Sequence, residues 1–330
     1  MKVSVIISAY NIESYIGRCL KSVIKQTLTD IEIIIVNDGS IDNTLNVINK
    51  FINKDNRIKI INQNNKGPIE ARKAGLKIAN GKYILFVDGD DWIEEECLKK
   101  LYDNAEDNNS DIVLYNAFYS YDDRKRELDT FKDIDLKKND FLDDLFLGNI
   151  KPSIWSKFIK KEFLTLKNIK FPDHISYAED LATVSNIFMN SPRVSFCKER
   201  LYNYYQRANS ITKVCDGKIL EIDKAIEFIK IKLKENKLYE LYEKQFEYLI
   251  YMHMFISKVI MIKEKNEINK CIYNQYKEKN INSIRNKYIT EYINKQNRNS
   301  KIRIRLYDIN YYSGIIFDFN RKVLNSIFVK

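Results

Sequence analysis

The first part of the chain alternates between short apolar runs and longer segments with helical spacing. The run at residues 3–8 is predominantly apolar, as expected for a strand buried on both faces of a sheet. Residues 12–26 instead carry apolar side chains three or four positions apart, which predicts a helix with one buried face. This alternation predicts an α/β fold with a mostly parallel sheet. The predicted strands are residues 3–8, 31–36, 58–61, 83–87 and 111–116, and the predicted helices are residues 12–26, 42–53, 68–79 and 94–105.

The pattern becomes mainly helical in the last third of the chain. From about Lys213 onward no glycine occurs between Gly217 and Gly314, and apolar residues keep a helical spacing. We therefore predict two domains, residues 1–212 and a helical, basic accessory region at residues 213–330. The first ends in a polar excursion at 120–144 and an aromatic-rich stretch at 151–207, and the second contains amphipathic helices at 219–241, 249–262 and 282–293.

The formal net charge of the chain is +10. Such a charge favours anionic partners, which include nucleotides, nucleic acid and an acidic membrane surface. Lysine-rich helices that only keep a protein in solution would give the same charge. Two interpretations of the C-terminal region therefore stay open. It is either a peripheral contact with an anionic membrane, or a helical cap that packs on the first domain or forms a homodimer.

Cysteine usage and the N-terminus predict a cytoplasmic protein. The 5 cysteines are scattered and never spaced as CxxC, which argues against a zinc knuckle or a disulfide framework. The N-terminus has no basic region followed by a long apolar run, so we expect no signal peptide. The most apolar later stretch, residues 248–262, is shorter than a membrane span and contains His253 and Lys258. A peripheral position at the inner face of the plasma membrane is the alternative that the basic charge suggests.

Polar and acidic residues follow three of the predicted strands. They form the segments SAYN at residues 8–11, NDGS at 37–40 and DGDD at 88–91. The carboxyl ends of parallel strands converge on the edge where open α/β folds bind ligands. Clustered carboxylates repel one another unless a cation lies between them, and hard divalent cations prefer such oxygen ligands. Solvated turns and helix N-caps are the alternative, because Asp and Ser favour both.

Motifs of other nucleotide-binding classes do not occur in the sequence. No GxGxxG follows the first strand, and the chain has neither GxxxxGKS nor GxxxxGKT. The 2 histidines, His174 and His253, are not spaced as a metal-binding pair. The acidic cluster would repel the phosphates of a nucleic acid unless a metal intervened, so we predict no nucleic-acid partner.

Four segments together resemble glycosyltransferase family 2, whose members have the GT-A fold and invert the anomeric centre. They are SVIISAYN at residues 4–11, IVNDGSID at 35–42, NKGPIEARKAG at 65–75 and FVDGDDW at 86–92. The resemblance covers roughly the predicted first domain and does not clearly reach the C-terminal helices. Lys73 is a departure, because the family often has Asn at this position.

The resemblance implies a nucleotide-sugar donor and a role for each matched residue. Ala9, Tyr10 and Asp38 would contact the nucleotide base, which is commonly uracil in this family. Arg72 would lie near the base and the diphosphate. These four residues come from three of the four matched segments.

The DGDD segment would bind the rest of the donor. On the resemblance, Asp88 binds the ribose and Asp90 ligates Mn²⁺ or Mg²⁺. Asp-x-Asp at a strand end suits this role, because Mg²⁺ usually bridges one or two carboxylates to the phosphates of a substrate. Asp91 either supports the metal site or caps the following helix.

A later segment, AEDL at residues 178–181, resembles the Glu-Asp element of the family. On that match Asp180 is the catalytic base and Glu179 is a neighbour that orients the acceptor. In an inverting transfer the acceptor hydroxyl loses its proton as it attacks, and a carboxylate can take that proton. The two acidic residues would also suit the start of a helix at 181–189, and both roles can hold at once.

Two further segments resemble the polysaccharide-building branch of the family. They contain Trp155 and Lys157 in one case and residues 201–212 in the other. Lys157 and Arg207 would offset the charge of the diphosphate, Arg207 from a loop that closes over the donor. Trp155 would either stack on a sugar ring or pack in the core, and the tyrosines of the second segment are expected to pack in a strand.

Together these features predict an inverting, metal-dependent hexosyltransferase or N-acetylhexosaminyltransferase. The expected donor is a UDP sugar, and the expected acceptor is a hydroxyl of a glycan, a glycolipid or other lipid-linked acceptor, or a glycoprotein. The alternatives are a family member that binds a nucleotide without catalysis, and a scaffold protein that binds anions or nucleic acid. The sequence does not determine which sugar is transferred or which linkage is made.

Overall fold

The computed structural model describes residues 1–132, 134, 140–207, 217–262 and 266–328. The predicted domain boundary at Lys213 and the end of the matched segment at 201–212 lie outside these residues. The division of the chain at that point therefore stays a prediction.

Nine strands of the described residues form one sheet. They are β1 (Val3–Ala9), β2 (Ile31–Asp38), β3 (Ile58–Gln63), β4 (Tyr83–Asp88), β5 (Trp92–Ile93), β6 (Ile112–Ser120), β7 (Lys125–Leu128), β8 (Lys157–Lys160) and β9 (Val194–Tyr205). Their order across the sheet is β3-β2-β1-β4-β8-β6-β9-β5, and β7 pairs with the end of β6. The strands β1 to β4, β6 and β9 run in one direction, and β5, β7 and β8 oppose them. The prediction of a mostly parallel sheet is confirmed.

Helices connect these strands and then make up the C-terminal part of the described chain. In the first 207 residues they are α1 (Ile16–Ile24), α2 (Thr44–Ile52), α3 (Pro68–Ile78), α4 (Cys97–Asp107), α5 (Phe141–Phe146), α6 (Lys161–Leu166) and α7 (Glu179–Phe188), with a 3₁₀ turn at Ile154–Ser156. A 3₁₀ turn at Gly217–Glu221 precedes α8 (Ile222–Glu235) and α9 (Tyr239–Ile250). A π-helix at Tyr251–Ile260 continues α9, and α10 (Glu267–Glu278), α11 (Lys287–Asn294), α12 (Arg298–Ile309) and α13 (Tyr311–Phe328) follow.

The five predicted strands and the predicted helices that alternate with them are confirmed, with small shifts at their ends. The prediction of a single helix at 219–241 is wrong, because the helix is interrupted between α8 and α9. Lys237 lies in the left-handed region there, with φ of 57°, which the interior of an α-helix does not adopt. The predicted helix at 282–293 begins only at Lys287, because the Asn286 side chain accepts the amides of Tyr288 and Ile289 and so caps α11.

The sheet has a hydrophobic layer on each face. On one face, buried residues of β1, β2 and β4 pack with those of α1, α2 and α4. On the other face, one continuous cluster runs from Ile6 and Phe86 of the sheet, through α7, to Ile226 of α8 and Tyr307 of α12. The C-terminal helices therefore share a core with the sheet, as expected for a helical cap.

Polar contacts reinforce this packing between α5 and α9. The Tyr242 hydroxyl lies 2.9 Å from Asp140 Oδ1, and Gln245 Nε2 lies 2.8 Å from Asp143 Oδ1. In the part of the chain that the structure describes, no helix has both the length and the apolar character that crossing a membrane requires. The homodimer and the peripheral membrane contact stay predictions.

Candidate active site

The ends of β1, β2 and β4 lie side by side, so the three polar segments meet at one edge of the sheet as predicted. Ser8 pairs with Asp88 across β1 and β4. The Gly89 amide donates to the Ser8 carbonyl oxygen at 3.1 Å. A Cβ atom at Gly89 would lie 2.8 Å from that oxygen and 2.4 Å from Ile12 Cδ1. Only glycine at position 89 lets the DGDD turn approach the turn after β1 so closely.

Two turns that carry predicted base-binding residues are joined by side-chain hydrogen bonds. The Asn11 amide donates to Ser40 Oγ at 3.1 Å, and the Ile41 amide donates to Asn11 Oδ1 at 2.9 Å. On the first turn Ala9 is buried, whereas Tyr10 is 46% exposed. The ring of Tyr10 is thus open to stack on a planar base. The contacts of both residues with a nucleotide stay predictions.

Asp38 is buried at the same edge, and its carboxylate is bound by the chain itself. It accepts hydrogen bonds from Gln63 Nε2 at 2.7 Å, the Lys66 amide at 2.9 Å and the Gly67 amide at 2.8 Å. These bonds hold the loop between β3 and α3 against the end of β2. Asp38 therefore shapes the edge of the site, and its contact with the base stays a prediction.

Asp91 is buried and bound by β9. Its carboxylate accepts hydrogen bonds from the Tyr202 hydroxyl at 2.7 Å and the Tyr205 amide at 2.8 Å. The Tyr202 hydroxyl also accepts the Asp88 amide at 3.1 Å. Burial, and after it the charges of Asp90 and Asp88, raise the pKa of Asp91 well above its ordinary value. The role of Asp91, which the sequence left open, is to anchor the DGDD turn to β9.

Asp90 contacts a different partner, Arg207. Nε of Arg207 lies 3.0 Å from Asp90 Oδ2, and the Arg207 guanidinium lies 5.7 Å from the centre of the Tyr15 ring. Burial raises the pKa of Asp90, although the charge of Arg207 acts in the opposite direction. A partly buried carboxylate of this kind is stabilised by an added cation.

Arg72 is the central cation of the site. Its guanidinium contacts Asp88 Oδ1 at 3.0 Å, Asp180 Oδ1 at 2.8 Å and Glu179 Oε1 at 3.2 Å, while its side chain is only 5% exposed. Burial alone would lower the pKa of Arg72, but the charges of Asp180, Asp88 and Glu179 outweigh it and raise the pKa. One buried arginine therefore links the end of β4 to the two acidic residues at the start of α7.

Glu179 and Asp180 begin α7, where the partial positive charge of the helix N-terminus favours acidic side chains. Asp180 is oriented from two sides, because Oδ1 accepts from Arg72 and Oδ2 accepts the Ile154 amide at 3.0 Å. Burial, and after it the Asp180 charge, raise the pKa of Glu179 to about 7 against the effect of Arg72. Burial also raises the pKa of Asp180. Both carboxylates thus become suited to exchange protons nearer neutral pH.

Lys157 does not lie where a diphosphate could reach it, so that prediction is wrong. The side chain is completely buried, and Nζ donates to the carbonyl oxygens of Lys151 and Ser153 and to Ser156 Oγ. Burial lowers the pKa of Lys157 to about 7. Trp155 is also buried and stacks on Tyr202 with ring centroids 4.5 Å apart, so it packs in the core.

One further cation at the site, Arg18, was not predicted from the sequence. Its guanidinium lies 3.8 Å from the centre of the Trp92 ring and 4.2 Å from that of Tyr205. It donates through Nη2 to the carbonyl oxygen of Asp90 at 3.2 Å. Arg18 thereby fixes the backbone of the DGDD turn. It belongs to no motif, and only its position on α1 facing the turn shows its role.

Comparisons with known proteins agree with this arrangement. Residues 4–159 match the family model described as glycosyl transferase family 2. The chain is 33% identical over 294 residues to the cholesterol galactosyltransferase of Borreliella burgdorferi, which covers 84% of this chain and 81% of the relative. It is 32% identical over 270 residues to EpsH of Bacillus subtilis, with 79% and 77% covered. The chain belongs to glycosyltransferase family 2. It is therefore a glycosyltransferase, and this prediction is confirmed.

The fold of this family 2 enzyme is the predicted GT-A fold. A crystal structure of TarS residues 1–349 from Staphylococcus aureus, in complex with UDP-GlcNAc, superposes with a TM-score of 0.73. The superposition covers 98% of this chain and 92% of the TarS chain at 22% identity. The likeness extends through the C-terminal helices, which the sequence resemblance did not clearly reach.

The contacts of Asp91 predict a loss of stability when its carboxylate is removed. In Asp91→Ala the Tyr202 hydroxyl and the Tyr205 amide lose a buried acceptor, and each unpaired group costs about 1–3 kcal/mol. The two groups together predict a fall in the free energy of unfolding of about 2–6 kcal/mol, measured by urea denaturation. Asp103→Ala, at an exposed ion pair on α4, is the matched control and should change little. Equal stability of the two variants would contradict the anchoring role.

Proposed function

We propose that this glycosyltransferase transfers a hexose or N-acetylhexosamine, with inversion, from a UDP sugar to a hydroxyl of a glycan, lipid-linked or glycoprotein acceptor. The observation that carries the proposal is the position of Arg72 between Asp88 and the Glu179–Asp180 pair. Two related proteins support the choice of donor. The TarS structure contains UDP-GlcNAc, and the relative from Borreliella burgdorferi is named a galactosyltransferase.

The donor would bind along the edge formed by the first, second and fourth strands. Tyr10 offers an exposed ring for the uracil base, next to the loop that Asp38 holds. Asp88 would accept hydrogen bonds from hydroxyls of the ribose. Its ion pair with Arg72 keeps the carboxylate oriented. The sugar would then lie between this edge and the start of α7.

Asp90 is the residue that we propose to hold Mn²⁺ or Mg²⁺. Its partly buried carboxylate has a raised pKa, and within the described residues Arg207 is the only cationic side chain in ion-pair contact with it. No group of three or more His, Cys, Asp or Glu side chains in that part of the chain could hold a metal alone. A site with the single carboxylate of Asp90 suits a cation whose other ligands come from the diphosphate and from water. When bound, the cation would neutralise charge on the departing diphosphate.

Asp180 is the proposed general base. As the acceptor oxygen forms its bond to the anomeric carbon, the bond from that carbon to the diphosphate oxygen breaks, and the acceptor proton passes to Asp180. Its two hydrogen bonds, from Arg72 and from the Ile154 amide, hold the carboxylate in one orientation. Glu179 contacts the same arginine and adds a second negative charge beside Asp180. Arg207 would move from Asp90 to the diphosphate when the donor binds.

The first test measures UDP release from a panel of UDP sugars with Mn²⁺, with Mg²⁺ and with EDTA. We expect one donor to be turned over, EDTA to abolish the activity and added metal to restore it. Asp90→Asn should lower the rate by about a hundredfold or more, because the cation that would stabilise the leaving group loses its carboxylate ligand. Asp103→Asn is the matched control. An EDTA-resistant activity that Asp90→Asn leaves intact would overturn the metal assignment, and no turnover or binding of any UDP sugar would overturn the proposed donor.

The second test separates the two acidic residues at the start of α7. Asp180→Asn should lower sugar transfer by about 10²–10⁴-fold while the protein stays folded and binds UDP, because the base is lost. Glu179→Gln should have the smaller effect. Circular dichroism checks the fold, and calorimetry checks the UDP affinity. If Glu179→Gln is the more damaging change, the base is Glu179 and the assignment of Asp180 is wrong.

A further inference from the structure

Lys157 is completely buried at the start of β8, and its side chain binds the segment that precedes it. Nζ donates to the Ser153 carbonyl oxygen at 2.8 Å, to Ser156 Oγ at 2.9 Å and to the carbonyl oxygen of Lys151. A lysine ammonium has three hydrogens to donate, so three acceptors match it completely. The ammonium therefore holds residues 151–156 in a closed turn around itself.

The turn has few bonds that could replace those of the ammonium. The Lys157 amide donates to the Ile154 carbonyl oxygen, and Ser156 Oγ donates to the Ser153 carbonyl oxygen at 2.9 Å. Ile154 and Ser156 are completely buried. A hydrogen-bond donor that is lost in such a place is costly to leave unreplaced. The shape of the turn therefore depends on the lysine.

The same turn binds the proposed base. The Ile154 amide, which lies inside the segment that Lys157 holds, donates to Asp180 Oδ2 at 3.0 Å. Arg72 donates to the other oxygen, Oδ1, at 2.8 Å. A carboxylate held at both oxygens cannot rotate, whereas one held only at Oδ1 can. Burial raises the pKa of Asp180, and Arg72, followed by the Ile154 amide and the charge of Lys157, acts against that rise.

The residue after Ile154 is fixed by contacts that do not involve the lysine. The carbonyl oxygen of Trp155 accepts the Tyr115 hydroxyl, and its ring stacks on Tyr202 with centroids 4.5 Å apart. The Tyr202 hydroxyl in turn binds Asp91 in the DGDD turn. Loss of the ammonium would therefore leave the donor edge in place and loosen the turn at Ile154.

We propose that Lys157 is a positioning residue for sugar transfer, which holds residues 151–156 so that the Ile154 amide keeps Asp180 in the orientation of a general base. This role rests on the proposed function, in which Asp180 takes the acceptor proton. It adds to that function a buried ammonium that acts on the reaction through the turn and not through the substrate.

The test measures UDP release, with water as the acceptor, from the UDP sugar that the wild type turns over. Lys157→Met removes the ammonium and keeps a side chain of similar length. We expect kcat to fall about 10–100-fold, because a small misplacement of a reacting group has a cost of this order. The KM of the donor, and the UDP affinity measured by calorimetry, should not change.

Lys160→Met is the matched control. It makes the same substitution on the same strand, where Nζ of Lys160 lies 3.4 Å from the exposed Glu162. A pair of this kind contributes little, so both kcat and KM should stay at their wild-type values.

A double variant shows whether Lys157 acts through Asp180. In the Asp180→Asn background the base is absent, so Lys157→Met should lower kcat no further. A lysine that only stabilised the fold would lower kcat by the same factor in both backgrounds. Circular dichroism checks the fold. If Lys157→Met does not fold, Ser156→Ala, which removes one of the three acceptors, replaces it and should show a smaller loss of kcat in the same pattern.

The outcomes separate a failure of this role from a failure of the proposed function. If Asp180→Asn is impaired but the folded turn variant keeps the wild-type kcat, or loses equally in both backgrounds, the positioning role is wrong and the proposed function stands. A rise in KM at an unchanged kcat would also overturn the positioning role. A wild type without turnover, or an Asp180→Asn variant as active as the wild type, would contradict the proposed function and with it the role of Lys157.

Discussion

A buried arginine that contacts three carboxylates holds the two halves of this active site together. Arg72 comes from α3, Asp88 from the end of β4, and Glu179 and Asp180 from the start of α7. Three negative charges exceed the one positive charge, and burial makes each charge costly. The N-terminus of α7 and the Ile154 amide supply part of the compensation. Burial, and after it the charges of the neighbouring carboxylates, keep the pKa values of Glu179 and Asp180 raised.

The packing of the sheet places Arg72 where it can make these contacts. A Cβ atom at Gly75 would lie 2.4 Å from Ile6 Cγ2, so α3 lies closer to β1 than an alanine would allow. One turn earlier on α3, the Arg72 side chain reaches the end of the neighbouring β4. On the other side, α7 packs against α8 and joins the core of the C-terminal helices. These helices therefore support the start of α7, which carries the proposed base, as well as covering the sheet.

The sequence predicted the elements and the edge of the site because both depend on local patterns. Apolar runs specified the strands, and the polar segments that follow them specified where β1, β2 and β4 would meet. These patterns did not predict which partner each acidic side chain contacts. Asp88, Asp90 and Asp91 are neighbours in the chain but bind Arg72, Arg207 and β9, respectively.

The sequence also did not predict which basic side chains are enclosed by the fold. Lys157 was expected to face the diphosphate, but three internal acceptors hold it in the core. Arg18 belongs to no motif, and its role depends on two aromatic rings from other elements. The interruption after α8 was missed because Lys237 carries no signal for its left-handed backbone. Residues distant in the chain decide the position of Arg18. Local backbone turns decide those of Lys157 and Lys237, and their residue types do not signal these turns.

The pH dependence of sugar transfer in Arg72 variants tests the central role of this residue most directly. Arg72 lowers the pKa values of Glu179 and Asp180, and with it present the pKa of Glu179 is about 7. In Arg72→Met both pKa values should rise, so the carboxylates ionise only at higher pH. The acidic limb of the rate profile should therefore move upward, with a lower maximum. Arg72→Lys, which keeps the charge, should shift the limb less. An Arg72→Met enzyme with the wild-type limb and the wild-type rate would contradict the account.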